Sequence, residues 1–267
     1  MEYKKHFTAL ESNPDLFTTL VQELGLSQQV CFHDVWSLSE PELLATVPRP
    51  VLALVLVFPT TDNYEANLAA ENSGYSTIAD APSAQDDGIF WLKQTINNAC
   101  GLYGILHAVT NGVAREYMKP DSYLSRLVHK LVPLTDSDRA SALENEAELE
   151  AAYNKVAVLG DTEPPEDPEE EVDFHYVCFV KGGPSGNVYM LDGDRKGPIQ
   201  CGRIPEGHDL FCEKGLEIIK DFMQKHDENG QFSLLALAPD TEETSCRLTR
   251  DVFTNSSIEV GKDIQLL

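Results

Sequence analysis

Four side chains in this sequence are of the types that acyl-transfer chemistry uses. Cys100 lies in "QTINNACGLYGILHAV" with Gln94 six residues before it, His175 stands near the start of "FHYVCFVK", and Asp192 lies in "YMLDG". A thiol can act as a nucleophile, an imidazole as its base, a carboxylate can orient that base, and an amide can donate to an oxyanion. The set is therefore of the kind that a cysteine hydrolase needs.

The segment around Cys100 predicts the beginning of a helix. The apolar residues after it repeat at spacings of three and four, which predicts a helix over residues 98–110 with one buried face. A helix N-terminus offers unpaired N–H groups and partial positive charge, and both favour a thiolate. Gly101 would let a substrate backbone come close.

The base is chosen among seven histidines. His107 lies on the same predicted helix as Cys100, which carries it away from the thiol. His175 begins an alternating strand that forms a predicted hairpin with the strand ending at Asp192, so the two side chains could meet. From these residues alone two interpretations stay open. One is a Cys–His–Asp triad, and the other is a buried thiol with an unrelated strand histidine and turn aspartate.

The remaining patterns predict an α+β fold. "VLALVLVF" reads as a buried central strand, and residues 60–88 read as a loop with at most one weak helix. Helices come first and the second half is rich in strands, which favours an antiparallel sheet flanked by helices over alternating βαβ units. Further helices are predicted over residues 13–25, 39–47, 122–132, 135–156 and 207–226, and further strands over 174–181, 188–193 and 232–239.

Composition excludes several classes of function. The net charge of −24 disfavours nucleic acid and favours basic partners, although solubility alone would also explain it. The six cysteines form no CxxC pair, so we expect free thiols and no metal site. The longest apolar run has eight residues and no apolar signal segment opens the chain, so we expect no membrane contact and a cytoplasmic protein that could also be nuclear.

Several separated motifs resemble one protease family. "QTINNACGLYGILHAV", "VDFHYVCFV" and "VYMLDGDRKGPI" occur in the order found in the ubiquitin C-terminal hydrolases, the papain-like cysteine proteases of peptidase family C12. "LESNPDLFTTLVQELGL" and "PELLATVPRPVLALVLVFP" also match, so the resemblance covers roughly residues 6–239. It is strongest to the short, single-domain members and implies their papain-like α+β fold.

The resemblance assigns roles residue by residue. It makes Cys100 the nucleophile, Gln94 the oxyanion donor, His175 the general base and Asp192 the residue that orients His175. It makes residues 156–171 an active-site crossover loop, in agreement with the acidic, proline-rich composition of "GDTEPPEDPEEEVD". It also places Glu11 and Asp34 near the ubiquitin-binding surface.

The implied activity is removal of small adducts and short or unfolded extensions from the C-terminal glycine of ubiquitin, without a cofactor. Ubiquitin is basic along its tail and one patch, so the acidic chain has a matching partner. A related modifier such as NEDD8 as the main substrate, or a ubiquitin-binding protein with weak hydrolysis, are the alternatives. We expect a monomer, with a catalytic domain over residues 1–240 and a partly ordered or disordered extension over 241–267.

Overall fold

The structure is a computed structural model that describes residues 3–73, 82–162, 170, 172–226 and 231–240. Six strands form one sheet: β1 (Val30–Asp34), β2 (Ala53–Pro59), β3 (Phe174–Lys181), β4 (Asn187–Leu191), β5 (Ile199–Arg203) and β6 (Ser233–Pro239). The α-helices of the described residues are α1 (Pro14–Leu24), α2 (Pro41–Leu44), α3 (Asp62–Ser73), α4 (Pro82–Asp86), α5 (Cys100–Val109), α6 (Tyr123–Leu131), α7 (Asp136–Glu144), α8 (Ala147–Ala157) and α9 (Glu213–His226). A 3₁₀ helix, Gly112–Tyr117, follows α5.

The strands pair in the order β1-β6-β2-β3-β4-β5, and every pairing is antiparallel. The apolar run that predicted a central strand forms β2, which lies inside the sheet between β6 and β3. The predicted hairpin forms as β3 and β4, with Cys178 opposite Leu191. The predicted α+β fold with an antiparallel sheet between helices is confirmed.

Local sequence signals predicted the bounds of some helices and strands correctly and missed others. Asn13 caps α1 through its side chain and Gly25 closes it in the left-handed conformation, as predicted. The region read as a loop holds α3 and α4, and the predicted helix over 135–156 is two helices separated near Asn145. Strands β1 and β5 were not predicted, because both are short and lie at the sheet edges.

Parts of the predicted domain plan lie outside the described residues. These are residues 241–267 of the predicted extension, with Cys246, and residues 163–169 and 171 of the predicted crossover loop. Within the part of the chain that the structure describes, no helix is both long and apolar enough to span a bilayer.

Each face of the sheet carries its own hydrophobic core because side chains alternate along the strands. Val55 of β2 packs under α1 and α5, whereas its neighbour Leu56 points to the other core, which α9 covers. Gly104 allows α5 to lie close to the sheet, since a Cβ atom there would be 3.2 Å from a methyl carbon of Val55. The helix that begins at Cys100 is thereby seated rigidly on the central strands.

The far end of α5 holds the chain segment that leads to Gln94. Asn111 accepts a hydrogen bond from the Phe90 N–H at 2.7 Å and donates to the Phe90 carbonyl at 2.8 Å. The Leu92 N–H donates to Nε2 of His107 at 3.0 Å, so the proton of this neutral ring lies on Nδ1. The segment before Gln94 therefore runs beside the helix that presents Cys100.

This arrangement makes folding stability depend on His107 in acid. Burial lowers the pKa of His107 from 6.5 to about 4, although the charge of Asp192 opposes this shift. The unfolded chain then binds the proton more tightly than the folded protein, so stability falls as the pH drops from about 6.5 toward 4. We expect His107 to account for about 2 kcal/mol of lost unfolding free energy between about pH 7 and about pH 5.

Urea unfolding of the wild type and His107→Gln at both pH values measures this contribution. The glutamine variant cannot titrate, so its loss of stability should be smaller by that amount. His129→Gln, which changes an exposed histidine of α6, serves as the control and should keep the wild-type pH dependence. Equal losses in the wild type and His107→Gln would contradict the expectation.

Candidate active site

Cys100 is the first residue of α5, and its position is set by the turn before it. Asn98 adopts a positive φ of 57°, a conformation that asparagine tolerates better than most residues. The Asn97 carbonyl accepts from the Phe7 N–H at 3.0 Å, which fixes the turn to the N-terminal segment. The N-cap residue Ala99 makes no side-chain hydrogen bond to the helix start, so the first N–H groups of α5 are not capped by it.

His175 lies on β3 with one nitrogen toward each of two partners. Its Nε2 is 2.8 Å from Oδ1 of Asp192, which leaves Nδ1 on the other side of the ring. The Cys100 side chain approaches this histidine closely enough to raise its pKa, and Sγ of Cys100 lies 3.9 Å from the carbonyl of the neighbouring Phe174. Thiol, imidazole and carboxylate therefore stand in the order that nucleophilic catalysis requires.

His175 and Asp192 shift each other's pKa. Burial opposes the charged form of His175, but the charge and hydrogen bond of Asp192, with the Cys100 hydrogen bond, hold the pKa of the histidine well above its usual value. Burial likewise opposes the charged form of Asp192, yet His175 and the other donors keep its pKa below the usual value. The imidazolium–carboxylate state is the favoured form of this pair.

Asp192 is fully buried and its carboxylate is saturated with donors. Oδ2 accepts from the Tyr64 hydroxyl at 2.8 Å and from Nε of Arg195 at 3.1 Å, while Oδ1 accepts from the Asp194 N–H at 2.9 Å in addition to His175. These donors come from α3 and from the turn after β4. Sequence patterns gave no sign of Tyr64 or Arg195.

A metal ion would need the same atoms. Ligand atoms of His175, Asp192 and Asp194 lie within 4.8 Å of one another. Both oxygens of Asp192 already accept two hydrogen bonds each, and Nε2 of His175 faces that carboxylate. These groups therefore suit a histidine base held in one orientation by a carboxylate better than they suit a cation site.

Gln94 is placed next to the triad by two contacts with the turn after β4. Its backbone N–H donates to the Gly193 carbonyl at 2.9 Å, and the Trp91 indole N–H donates to the Asp192 carbonyl at 2.9 Å. A Cβ atom at position 193 would come within 2.7 Å of Cβ of Gln94, so glycine is required for this close approach. Oε1 of Gln94 is buried without a hydrogen-bond partner among the described residues, so those residues do not use this atom of the amide.

A second Cys–His contact exists on β1 but lacks the properties of a nucleophile. Cys31 Sγ lies 3.2 Å from Nε2 of His33, and the same nitrogen is 3.1 Å from the Pro239 carbonyl. Burial raises the pKa of Cys31 to about 12 and that of Cys201 to about 11. Cys100, in contrast, is only partly buried and contacts His175.

Glu11 and Asp34 do not join the catalytic cluster. Glu11 accepts a hydrogen bond from the Thr162 N–H at 2.8 Å, at the start of the predicted crossover loop. Asp34 ends β1 opposite Leu235, and burial, followed by the charge of Asp15, raises its pKa. A role of either residue in binding ubiquitin stays a prediction.

Comparison with known proteins agrees with this geometry. Residues 7–224 match the family described as ubiquitin carboxyl-terminal hydrolase, family 1. The chain is 31% identical to ubiquitin carboxyl-terminal hydrolase 3 of Arabidopsis thaliana, covering 89% of this chain and 96% of the relative. It is 35% identical to a ubiquitin carboxyl-terminal hydrolase of Aplysia californica, covering 85% and 100%.

A solved structure supports the fold. The UCH37 catalytic domain of Trichinella spiralis, bound to ubiquitin vinyl methyl ester, superposes with a TM-score of 0.70 at 21% identity, covering 90% of this chain and 98% of that one. The match of the family over most of the chain, together with these relatives, confirms the resemblance found in the motifs. The chain belongs to the ubiquitin carboxyl-terminal hydrolase family 1 and is a thiol-dependent hydrolase of that family.

Proposed function

We propose that this protein hydrolyses amide, ester and thioester bonds at the C-terminal glycine of ubiquitin by a Cys–His–Asp mechanism. The observation that carries the proposal is the position of the His175 ring between the buried Asp192 carboxylate, 2.8 Å away, and the Cys100 side chain at the start of α5. The names of the relatives and the ubiquitin derivative in the Trichinella complex support ubiquitin as the partner.

The first half-reaction forms an acyl-enzyme. The Cys100 thiolate adds to the glycine carbonyl, and the electron pair of the carbonyl moves onto its oxygen. The side-chain amide of Gln94 and the backbone N–H of Cys100 stabilise that oxyanion. His175 then gives its Nδ1 proton to the leaving amine, alcohol or thiol as the carbon–heteroatom bond breaks, which leaves a thioester on Cys100.

The second half-reaction returns the enzyme to its starting state. Neutral His175 removes a proton from water, which adds to the thioester carbonyl. Collapse of the tetrahedral intermediate breaks the carbon–sulfur bond and releases Cys100 as thiolate and ubiquitin as a carboxylic acid, which loses its proton to solvent. Asp192 keeps its charge throughout and holds the ring in one orientation through Nε2.

Charge and exposed apolar groups at the site suit a protein substrate. The acidic balance of the chain would attract the basic tail and patch of ubiquitin, and Glu11 and Asp34 are our candidates for that contact. Phe174 beside His175 is 41% exposed, and Leu159 at the base of the crossover loop is 60% exposed.

Replacement of the nucleophile tests the mechanism. Cys100→Ala should abolish turnover of a ubiquitin C-terminal fluorogenic amide, because no other group can form the thioester, and should still bind ubiquitin in a titration calorimeter. Cys212→Ala removes another partly buried thiol and should keep wild-type turnover. Turnover that persists in Cys100→Ala would contradict the proposal. A parallel assay with the corresponding NEDD8 amide measures which of the two modifiers is the better substrate.

Gln94 should contribute to the transition state and little to substrate binding. Gln94→Ala is expected to lower kcat by about 10²–10³, the usual cost of one lost oxyanion donor, with KM nearly unchanged. Steady-state kinetics on the same amide measure this split. A loss that appears only in KM would mean that Gln94 binds ubiquitin and does not stabilise the oxyanion.

The crossover loop limits the size of the leaving group in this proposal. Both described ends of the loop are tied down near the thiol: Thr162 to Glu11, and the Glu170 carbonyl to the Asn98 side chain at 2.9 Å. The eight peptide units from Thr162 to Glu170 can span at most about 28 Å. A short peptide can pass such a segment, whereas a folded domain is hindered.

Lengthening this segment tests the size limit. Insertion of Gly/Ser residues between 163 and 169 should raise kcat/KM for ubiquitin fused to a folded domain while leaving the small amide substrate little changed. An equal insertion in the turn between β3 and β4, at Gly183, is the matched control and should leave both substrates unchanged. If the ratio of the two rates is the same in all three proteins, the loop does not set substrate size.

A further inference from the structure

A second carboxylate lies against the catalytic histidine. Oδ2 of Asp194 is 3.7 Å from Nδ1 of His175, on the opposite side of the ring from Asp192. This distance is too long for a direct hydrogen bond, so the contact acts between charges. Nδ1 is also the nitrogen that must exchange a proton with Cys100 and the leaving group, since Asp192 occupies Nε2.

The register of the hairpin brings Asp194 to this position. Cys178 of β3 lies opposite Leu191 of β4, and continuing the same pairing past the end of β4 puts position 194 beside position 175. The backbone then fixes the residue, because the Asp194 N–H donates to Asp192 at 2.9 Å and its carbonyl accepts from Lys93 Nζ at 2.9 Å.

We propose that Asp194 is a positioning residue for His175: its charge holds the protonated ring with Nδ1 toward Cys100 and thereby sets the alkaline limit of activity. The inference rests on the proposed function, in which His175 is the base. Asp194 does not touch the reacting atoms; it acts through the histidine. Its side chain is 27% exposed, and although burial and the charge of Asp192 raise its pKa, His175 and Lys93 favour its charged form.

Other charged and titratable groups approach the ring from several elements. Asp192 and Arg195 approach from the turn after β4, Cys100 from α5 and Tyr64 from α3, while His226 of α9 packs behind the rings of Phe58 and Tyr64. Lys93 faces Asp194 and partly offsets its charge. Among the described groups, Asp194 is the carboxylate placed on the Nδ1 side of His175.

Loss of this charge has a defined consequence. Active enzyme carries a thiolate and an imidazolium, and activity falls at high pH when the imidazolium loses its proton. Asp194 stabilises the imidazolium, as its contribution to the raised pKa of His175 indicates. Removing the charge should move the alkaline limit of kcat/KM to lower pH by about one unit.

The test is the pH profile of kcat/KM on the ubiquitin fluorogenic amide for four proteins. Asp194→Asn keeps the shape and loses the charge, so its alkaline limit should fall, whereas Asp194→Glu keeps the charge and should stay near the wild type. Asp173→Asn neutralises an exposed carboxylate two residues before His175 and should leave the limit in place. Superimposed profiles for Asp194→Asn and the wild type, or an equal shift in Asp173→Asn, would overturn the inference.

A second variant and an NMR titration test the inference if Asp194→Asn fails to fold. If Asp194→Asn does not fold, Asp194→Ser replaces it, and NMR titration of the His175 ring in the wild type provides a direct reading. A measured His175 pKa at or below the ordinary histidine value overturns the inference. A measured pKa above that value in the wild type that is lower in Asp194→Ser supports it. Turnover that does not depend on Cys100 would refute the proposed function instead, so the two failures are distinct.

Discussion

The buried carboxylate of Asp192 is the constraint on which the site depends. A fully buried charge is costly unless every lone pair finds a donor, and here Tyr64, Arg195, the Asp194 N–H and His175 supply them. Those donors come from a helix, a strand and a turn that are far apart in the chain. Satisfying one anion therefore requires the helix, the strand and the turn to adopt their native arrangement.

The same constraint prepares the chemistry. Because Asp192 is held from several sides, it fixes the direction of the His175 ring. The carbonyl of Asp192 also accepts from Trp91, and Gly193 accepts from Gln94, so the oxyanion segment is tied to the same turn. His175, Asp192 and Gln94, the proposed base, orienting carboxylate and oxyanion donor, thus form one connected unit, against which α5 places Cys100.

Sequence patterns recovered the parts of this unit that are encoded locally. A long apolar run bounded by prolines identifies β2, the Asn13 and Gly25 caps identify α1, and alternation identifies the β3–β4 hairpin with His175 and Asp192 near its ends. Resemblance to the family favours the triad over an unrelated cysteine, and the roles of these residues stay a prediction.

Contacts between distant segments could not be read in this way. Helix α3 lacks apolar periodicity, yet its Tyr64 binds Asp192, 128 residues away in the chain. Strand β1 is five residues long, and its register with β6 depends on a partner some 200 residues later. The position of Asp194 beside His175 could be predicted from the hairpin register, but no local pattern marks this residue as functional.

The proposed mechanism requires Cys100 to be the thiol that attacks the C-terminal carbonyl of ubiquitin. Labelling of the native protein with a ubiquitin probe that carries a C-terminal electrophile, followed by peptide mapping of the adduct, tests it most directly. We expect a single adduct on Cys100, which is lost in Cys100→Ala and forms more slowly in Asp192→Asn. An adduct on any of the other five cysteines with Cys100 unmodified would contradict it.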